Sequence, residues 1–265
     1  IRTEMEQAGR DFLDVLDEAQ ALGYAEADPS FDIDGIDAAH KLAILASVAF
    51  GTAVDFDGIH VEGIRHISPI DIEFACELGY GIKLLGVAAR TADGYEQRVH
   101  PCMVPASAPI NHVSGVFNGI AVDGNFVDTT IYEGRGAGAG PTASAVVADI
   151  LDIACGNPVP VFGIPARNLK PAQTVDMGRH RGAYYVRLTV VDKPGVFADI
   201  AAILRDHEVS MESVLQRGRA PGEPVSVVMT LHESLEADVV NTLDAMASLD
   251  AVIEAPCMIR IETFA

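Results

Sequence analysis

Residues 19–41, AQALGYAEADPSFDIDGIDAAHK, place two helix ends, a Pro turn and five carboxylates in one short stretch that finishes on a lysine. Gly23 stops a helix expected over 4–22, whose apolar positions are Phe12, Leu13, Val15, Leu16, Ala19 and Leu22. A second helix is expected from about Ile36 to Phe50, with Asp34 as its N-cap and Gly51 at its end. Asp37 and Lys41 are four positions apart, so they share one face of that helix about one turn from each other. On an open surface such a pair contributes a few tenths of a kcal/mol. Here Ala38, Ala39, Leu42, Ala43, Ile44 and Leu45 leave little of the helix polar, which predicts a partly buried lysine. A lysine so placed needs a counter-charge or loses its proton, and either state suits general acid/base chemistry. Glu26, Asp28, Asp32 and Asp34 sit on a loop folded by Pro29, where carboxylates either bind a cationic ammonium or serve only capping and solvation. A calcium loop fits poorly, because Asp32-Ile33-Asp34-Gly35 lacks the repeated oxygen ligands and closing Glu.

The run Ala19, Gly23, Tyr24, Asp28, Pro29, Asp32, Ile33, Gly35, Asp37 and Lys41 resembles the signature of homoserine dehydrogenase at every spacing. The resemblance implies a reversible, NADP- or NAD-dependent interconversion of L-homoserine and L-aspartate 4-semialdehyde, in threonine and methionine biosynthesis. It also implies Lys41 as the acid/base, Asp37 as its partner, and Glu26 and Asp32 as ligands of the substrate's amino group.

Composition narrows the alternatives. The 265 residues suffice for two domains with a sizeable core. A formal charge of −20 argues against nucleic acid and anionic membranes as partners. No apolar run reaches the roughly 18 residues of a spanning helix, and the expectation is a cytoplasmic protein. Cys76, Cys102, Cys155 and Cys257 form no CxxC, the histidines form no HExxH, and no metal site is expected.

Along the chain, Ser68 and Pro69 read as N-cap and N1 of a third helix, IDIEFACELG. IKLLGVAAR and QRVHPCMV read as strands joined by the turn TADG, and GVFNGIAVDGN and FVDTTIYEG as strands divided at Asp123-Gly124. PASAPINHV connects the pairs with at most one helical turn. The expected class is α+β, with helices on one face of a mostly antiparallel sheet.

GRGAGAGPTASAVVADILDIACG follows the last of these strands. Its glycines before an apolar helix over 142–155 make either an anion cradle or a hinge. A similar GxGAGxxPTA stretch touches the cofactor in homoserine dehydrogenases, so the resemblance assigns Gly136, Ala137 and Gly138 to the nucleotide. No strand–GxGxxG–helix unit occurs near the beginning of the sequence, where the family carries its nucleotide-binding domain. The sequence is therefore expected to be a C-terminal fragment, inactive alone, with the 142–155 helix packing on that domain.

Residues 156–181 hold four prolines and no sustained period, as a linker would. From Ala183 onward the order is βαββαβ, that of a ferredoxin-like sandwich. With Asp192-Lys193-Pro194-Gly195-Val196 between its first strand and helix, this region resembles an ACT domain. Gly195 would let a ligand carboxylate approach the helix N-terminus, although plain turn chemistry explains the same residues. The resemblance makes Asp192, Pro194, Gly195 and Val196 effector-binding, with threonine the expected effector. The organisation expected is a catalytic and dimerisation domain over 1–160, a linker over 161–181 and an ACT domain over 182–265. The family implies a homodimer, or a tetramer through paired ACT domains. A non-catalytic amino-acid-sensing and dimerisation module is the alternative reading.

Overall fold

Gly35 decides how the acidic loop becomes a helix. The structure, a computed structural model, describes residues 29–157, 160–218 and 221–264. The helix expected over 4–22 and Glu26 lie outside them. A single turn, α1 (Ser30–Ile33), is followed at once by α2 (Ile36–Phe50). The N-cap is Gly35 in the left-handed region at φ 80°, not Asp34. Only a residue without a Cβ reverses the chain there cheaply, and Asp34 is instead held by Arg65 at 2.5 Å. Gly51, also left-handed, ends α2 as expected. The stripe Ala39, Leu42 and Ala43 packs with Ile59 and with Val99 of the sheet below; full burial of one such Leu or Val contributes about 1.5–3 kcal/mol.

β1 (His60–Val61), α3 (Pro69–Glu77), β2 (Tyr80–Arg90) and β3 (Tyr95–Pro105) follow. Ser68 caps α3 with Pro69 at its first position, and the Asp71 carboxylate accepts from the Ser68 N–H at 3.0 Å and hydroxyl at 2.6 Å. After a 3-10 turn at Pro109–His112 come β4 (Phe117–Gly124), β5 (Asp128–Arg135) and α4 (Ala139–Ala154). The remaining elements are β6 (Arg181–Val191), α5 (Val196–Asp206), β7 (Met211–Gln216), β8 (Pro224–Leu235), α6 (Glu236–Ala247) and β9 (Cys257–Ile261). The class is α+β, and the βαββαβ order from β6 to β9 is the one read from the sequence.

The strands are shared out differently from the expectation. β2 and β3 do not form a layer with β4 and β5, which stand apart as a two-stranded hairpin. One edge of β3 is taken by β2 along its whole length. The other is taken by β1 at Arg98–Val99 and by β9 at Cys102–Met103, so β3 itself has no edge left for β4. The result is one seven-stranded sheet, in which β3 is followed by β9, β6, β8 and β7. Val99 and Met103 turn their carbonyls to the outer edge, accepting from the N–H groups of Glu62 and Glu262. Pro101 lies midway between them, where the edge passes from β1 to β9. It has no N–H to leave unpaired there, which explains a proline inside a buried strand.

The regions before and after the proline-rich segment therefore meet in a seam within one sheet. One apolar cluster joins Phe74, Ile82 and Met103 to Tyr185, Val228 and Ile259. Buried ion pairs cross it. Asp71 of α3, fully buried, accepts from Arg187 Nε at 2.7 Å and Tyr185 OH at 3.0 Å. Arg260 of β9 reaches Glu62 at 2.8 and 2.9 Å and Glu236 of α6 at 3.0 Å. Arg98 of β3 holds Glu96 and Glu262, each at 2.7 Å. The proline-rich segment after α4 is also laid down on the protein: Tyr95 donates its N–H to Gln173, and Thr174 its hydroxyl to Asp55.

Candidate active site

A cavity of about 610 Å³ opens between α2, the edge strand β2 and the segment from Ile110 to Ala121. Its lining includes Asp37, Lys41, Lys83, Val113, Asn118 and Phe264. Lys41 and Asp37 are one turn apart on α2, and the ammonium donates to the Asp37 carboxylate. The lysine is not partly buried as expected. Its side chain is 59% exposed and that of Asp37 39%. The reason lies in the helix face: Ala39, Leu42, Ala43 and Ala46 form the buried stripe, while Lys41 shares the opposite side with exposed Ile44, Leu45 and Val48. An apolar composition on both sides of α2 concealed which side was the core.

The other expected site residues are only partly gathered. Asp32 is exposed on α1 and does not line the cavity. Gly136, Ala137 and Gly138 are exposed on the approach to α4, which begins at Ala139, earlier than the sequence suggested. Gly138 adopts φ 117°, a conformation that favours glycine. A Cβ at Gly136 would collide with the amide of Asn118, and Asn118 lines the cavity. These glycines therefore stand at its rim, with backbone accessible. α4 buries none of its residues, and Val146, Val147, Ile150 and Leu151 are exposed.

Asp192, Pro194, Gly195 and Val196 lie elsewhere, on the turn after β6. The beginning of β6 pairs with β9 at the seam, whereas this turn follows its opposite end. Gly195, at φ 98°, precedes α5, and open space surrounds the position a Cβ would take. Val196 is buried in the core beneath, and Asp192 exchanges backbone hydrogen bonds with Gly222 and Glu223.

Three residues lining the cavity escaped the sequence reading. Lys83 had a signal: it is the one charge inside the apolar run IKLLGV. Asn118 and Phe264 had none. Among the described residues, His100, Cys102 and Glu262 also bring metal-ligating atoms within 4.8 Å of one another. Burial drives the Cys102 thiol well above its usual range and His100 well below its own. Glu262 is already engaged by Arg98, so this cluster reads as packed neutral groups beside an ion pair.

A homoserine dehydrogenase family profile matches residues 1–151, and an ACT domain profile matches residues 184–251. The chain belongs to the homoserine dehydrogenase family. Homoserine dehydrogenases of Neisseria gonorrhoeae and Pseudomonas aeruginosa are each 42% identical to it over 269 residues, covering 99% of this chain. The chain spans 62% of the length of these relatives. A crystal structure of a homoserine dehydrogenase from Thiobacillus denitrificans superposes with a TM-score of 0.90 at 42% identity, covering 99% of this chain and 61% of that one. Homoserine dehydrogenase from S. aureus at pH 8.5 gives 0.71 at 25% identity, over 98% of this chain and 60% of that one. Among the described residues no helix is long and apolar enough to cross a membrane.

Proposed function

We propose that this chain supplies the proton-transfer site and the regulatory unit of a homoserine dehydrogenase, interconverting L-homoserine and L-aspartate 4-semialdehyde in amino-acid biosynthesis. The observation that carries the proposal is the Lys41–Asp37 pair facing a cavity large enough for a small amino acid and part of a nucleotide. Lys41 donates a proton to the aldehyde oxygen during reduction and takes the hydroxyl proton in reverse. Asp37 holds the ammonium in place. Asp32 and Glu26, on the preceding loop, bind the substrate's amino group.

NADP or NAD fits the rim, where Gly136, Ala137 and Gly138 are exposed just before a helix N-terminus. When bound, the nicotinamide nucleotide supplies or accepts the hydride. A nucleotide-binding domain outside this sequence is expected to hold most of it, with α4's apolar face against that domain, and the chain alone is expected to be inactive. The enzyme is placed in the cytoplasm as a homodimer, or as a tetramer through its regulatory units.

In the full-length enzyme, Lys41→Ala is expected to lower kcat at least a hundredfold, and near-parental turnover would sink the assignment. The Asp192–Val196 turn is assigned to an amino-acid effector, threonine. Calorimetric titration with threonine should give saturable heat that Gly195→Val abolishes; equal heat in both proteins would remove the effector from this turn.

A further inference from the structure

Lys83 is 8% exposed in the middle of β2, although packing alone would be served as well there by a methionine. Its register partner is Cys102, which lies on the face of the sheet opposite Val99 and α2. From there its ammonium donates to the carbonyl of Val113 at 2.6 Å. Val113 is the root of the cavity's outer wall. Its side chain packs where a Cβ at Gly119 would approach to 2.8 Å. One residue earlier, the Asn118 side chain fills the space beside Gly136, whose N–H donates to Val116 at 3.1 Å. A single buried cation thus braces a wall that reaches, contact by contact, to the glycines at the start of α4.

We propose that Lys83 is a positioning residue for the nucleotide, acting through Val113 and Asn118 to set where Gly136, Ala137 and Gly138 stand at the cavity rim. The inference rests on the catalytic reading of the cavity. Lys83 touches the wall and not the reacting atoms, so its loss is read in nucleotide binding and not in the chemical step.

The test uses the full-length enzyme with steady-state kinetics and thermal unfolding. Lys83→Met is expected to raise KM for the nicotinamide nucleotide roughly tenfold with kcat within about threefold. Lys83→Arg, which keeps a donor, should recover most of that loss. Asn118→Ala, on an exposed residue, should raise the same KM without lowering Tm, and it decides the matter if Lys83→Met does not fold. A nucleotide KM within about twofold of the parent in Asn118→Ala, or in folded Lys83→Met with only Tm reduced, overturns the inference, as does Lys83→Arg behaving like Lys83→Met. Lys41→Ala, assayed alongside, separates the two failures. If it stays active, the catalytic reading falls; if it is inactive while nucleotide KM stays fixed in the other variants, only the role of Lys83 falls.

Discussion

Arg260 and Lys41 are both cations held by carboxylates, and they do opposite work. Arg260, 2% exposed, is enclosed at the seam between Glu62 and Glu236. Lys41, 59% exposed, meets Asp37 at the mouth of a cavity. A buried charge that loses its partner leaves an uncompensated ion in a low dielectric, whereas an exposed pair is replaced by water at little cost. The pairs of Arg260 are thus enclosed within the seam, whereas the Lys41–Asp37 pair opens on the cavity.

The contrast would break first at Arg260. Arg260→Met leaves Glu62 and Glu236 without their guanidinium and is expected to lower stability by about 3–5 kcal/mol. Chemical denaturation of parent and variant measures it, and a midpoint equal to that of the parent would mean the seam does not hold the fold.

Acid should act on the same seam. Burial pushes the Glu62 carboxyl up, but hydrogen bonds from His60 and Arg260 outweigh it, so the group ends far below its ordinary value of 4.5. Asp71 follows the same logic through Arg187 and Ser68, ending below 3.8. Burial also lowers His66 from its ordinary 6.5, and His100 further. In each case the folded value lies below the unfolded one, so the stability contributed is complete at high pH and is lost as pH falls. Tm should hold above pH 7, decline once pH passes below 6.5 through the two histidines, and fall more steeply below 4.5 through the carboxylates. Thermal scans from pH 8 to pH 4 check this, and a Tm that rises on acidification would contradict it. The smallest expected change belongs to Lys41→Ala, whose unfolding free energy should stay within about 0.5 kcal/mol of the parent while its turnover collapses.

Local pattern made much of this legible. α2 runs from Ile36 to Phe50 as read, because its end is marked by Gly51 and its apolar spacing is helical. Ser68-Pro69 and the βαββαβ order were equally local signals. The seam was not legible, since Arg260 and Glu62 are 198 positions apart and β3 meets β9 over only two residue pairs. At the site, Asp37 and Lys41 were found by spacing, but their exposure was misjudged because α2 is apolar on both sides. The N-cap was misassigned for a related reason: Asp34 has the chemistry of a cap, yet the reversal demanded the left-handed backbone of Gly35.

β9 stands between β3 and β6 in the sheet but follows both in the chain. On the ribosome, every other strand of the sheet is made before the one that joins them. Until β9 emerges, β3 and β6 each keep an unpaired edge, Asp71 and Arg187 must find each other without the strand between, and Glu62 and Glu236 have no guanidinium. Edges of that kind pair with whatever is nearby. Nascent chains stalled before Cys257 should therefore be the species most in need of a chaperone.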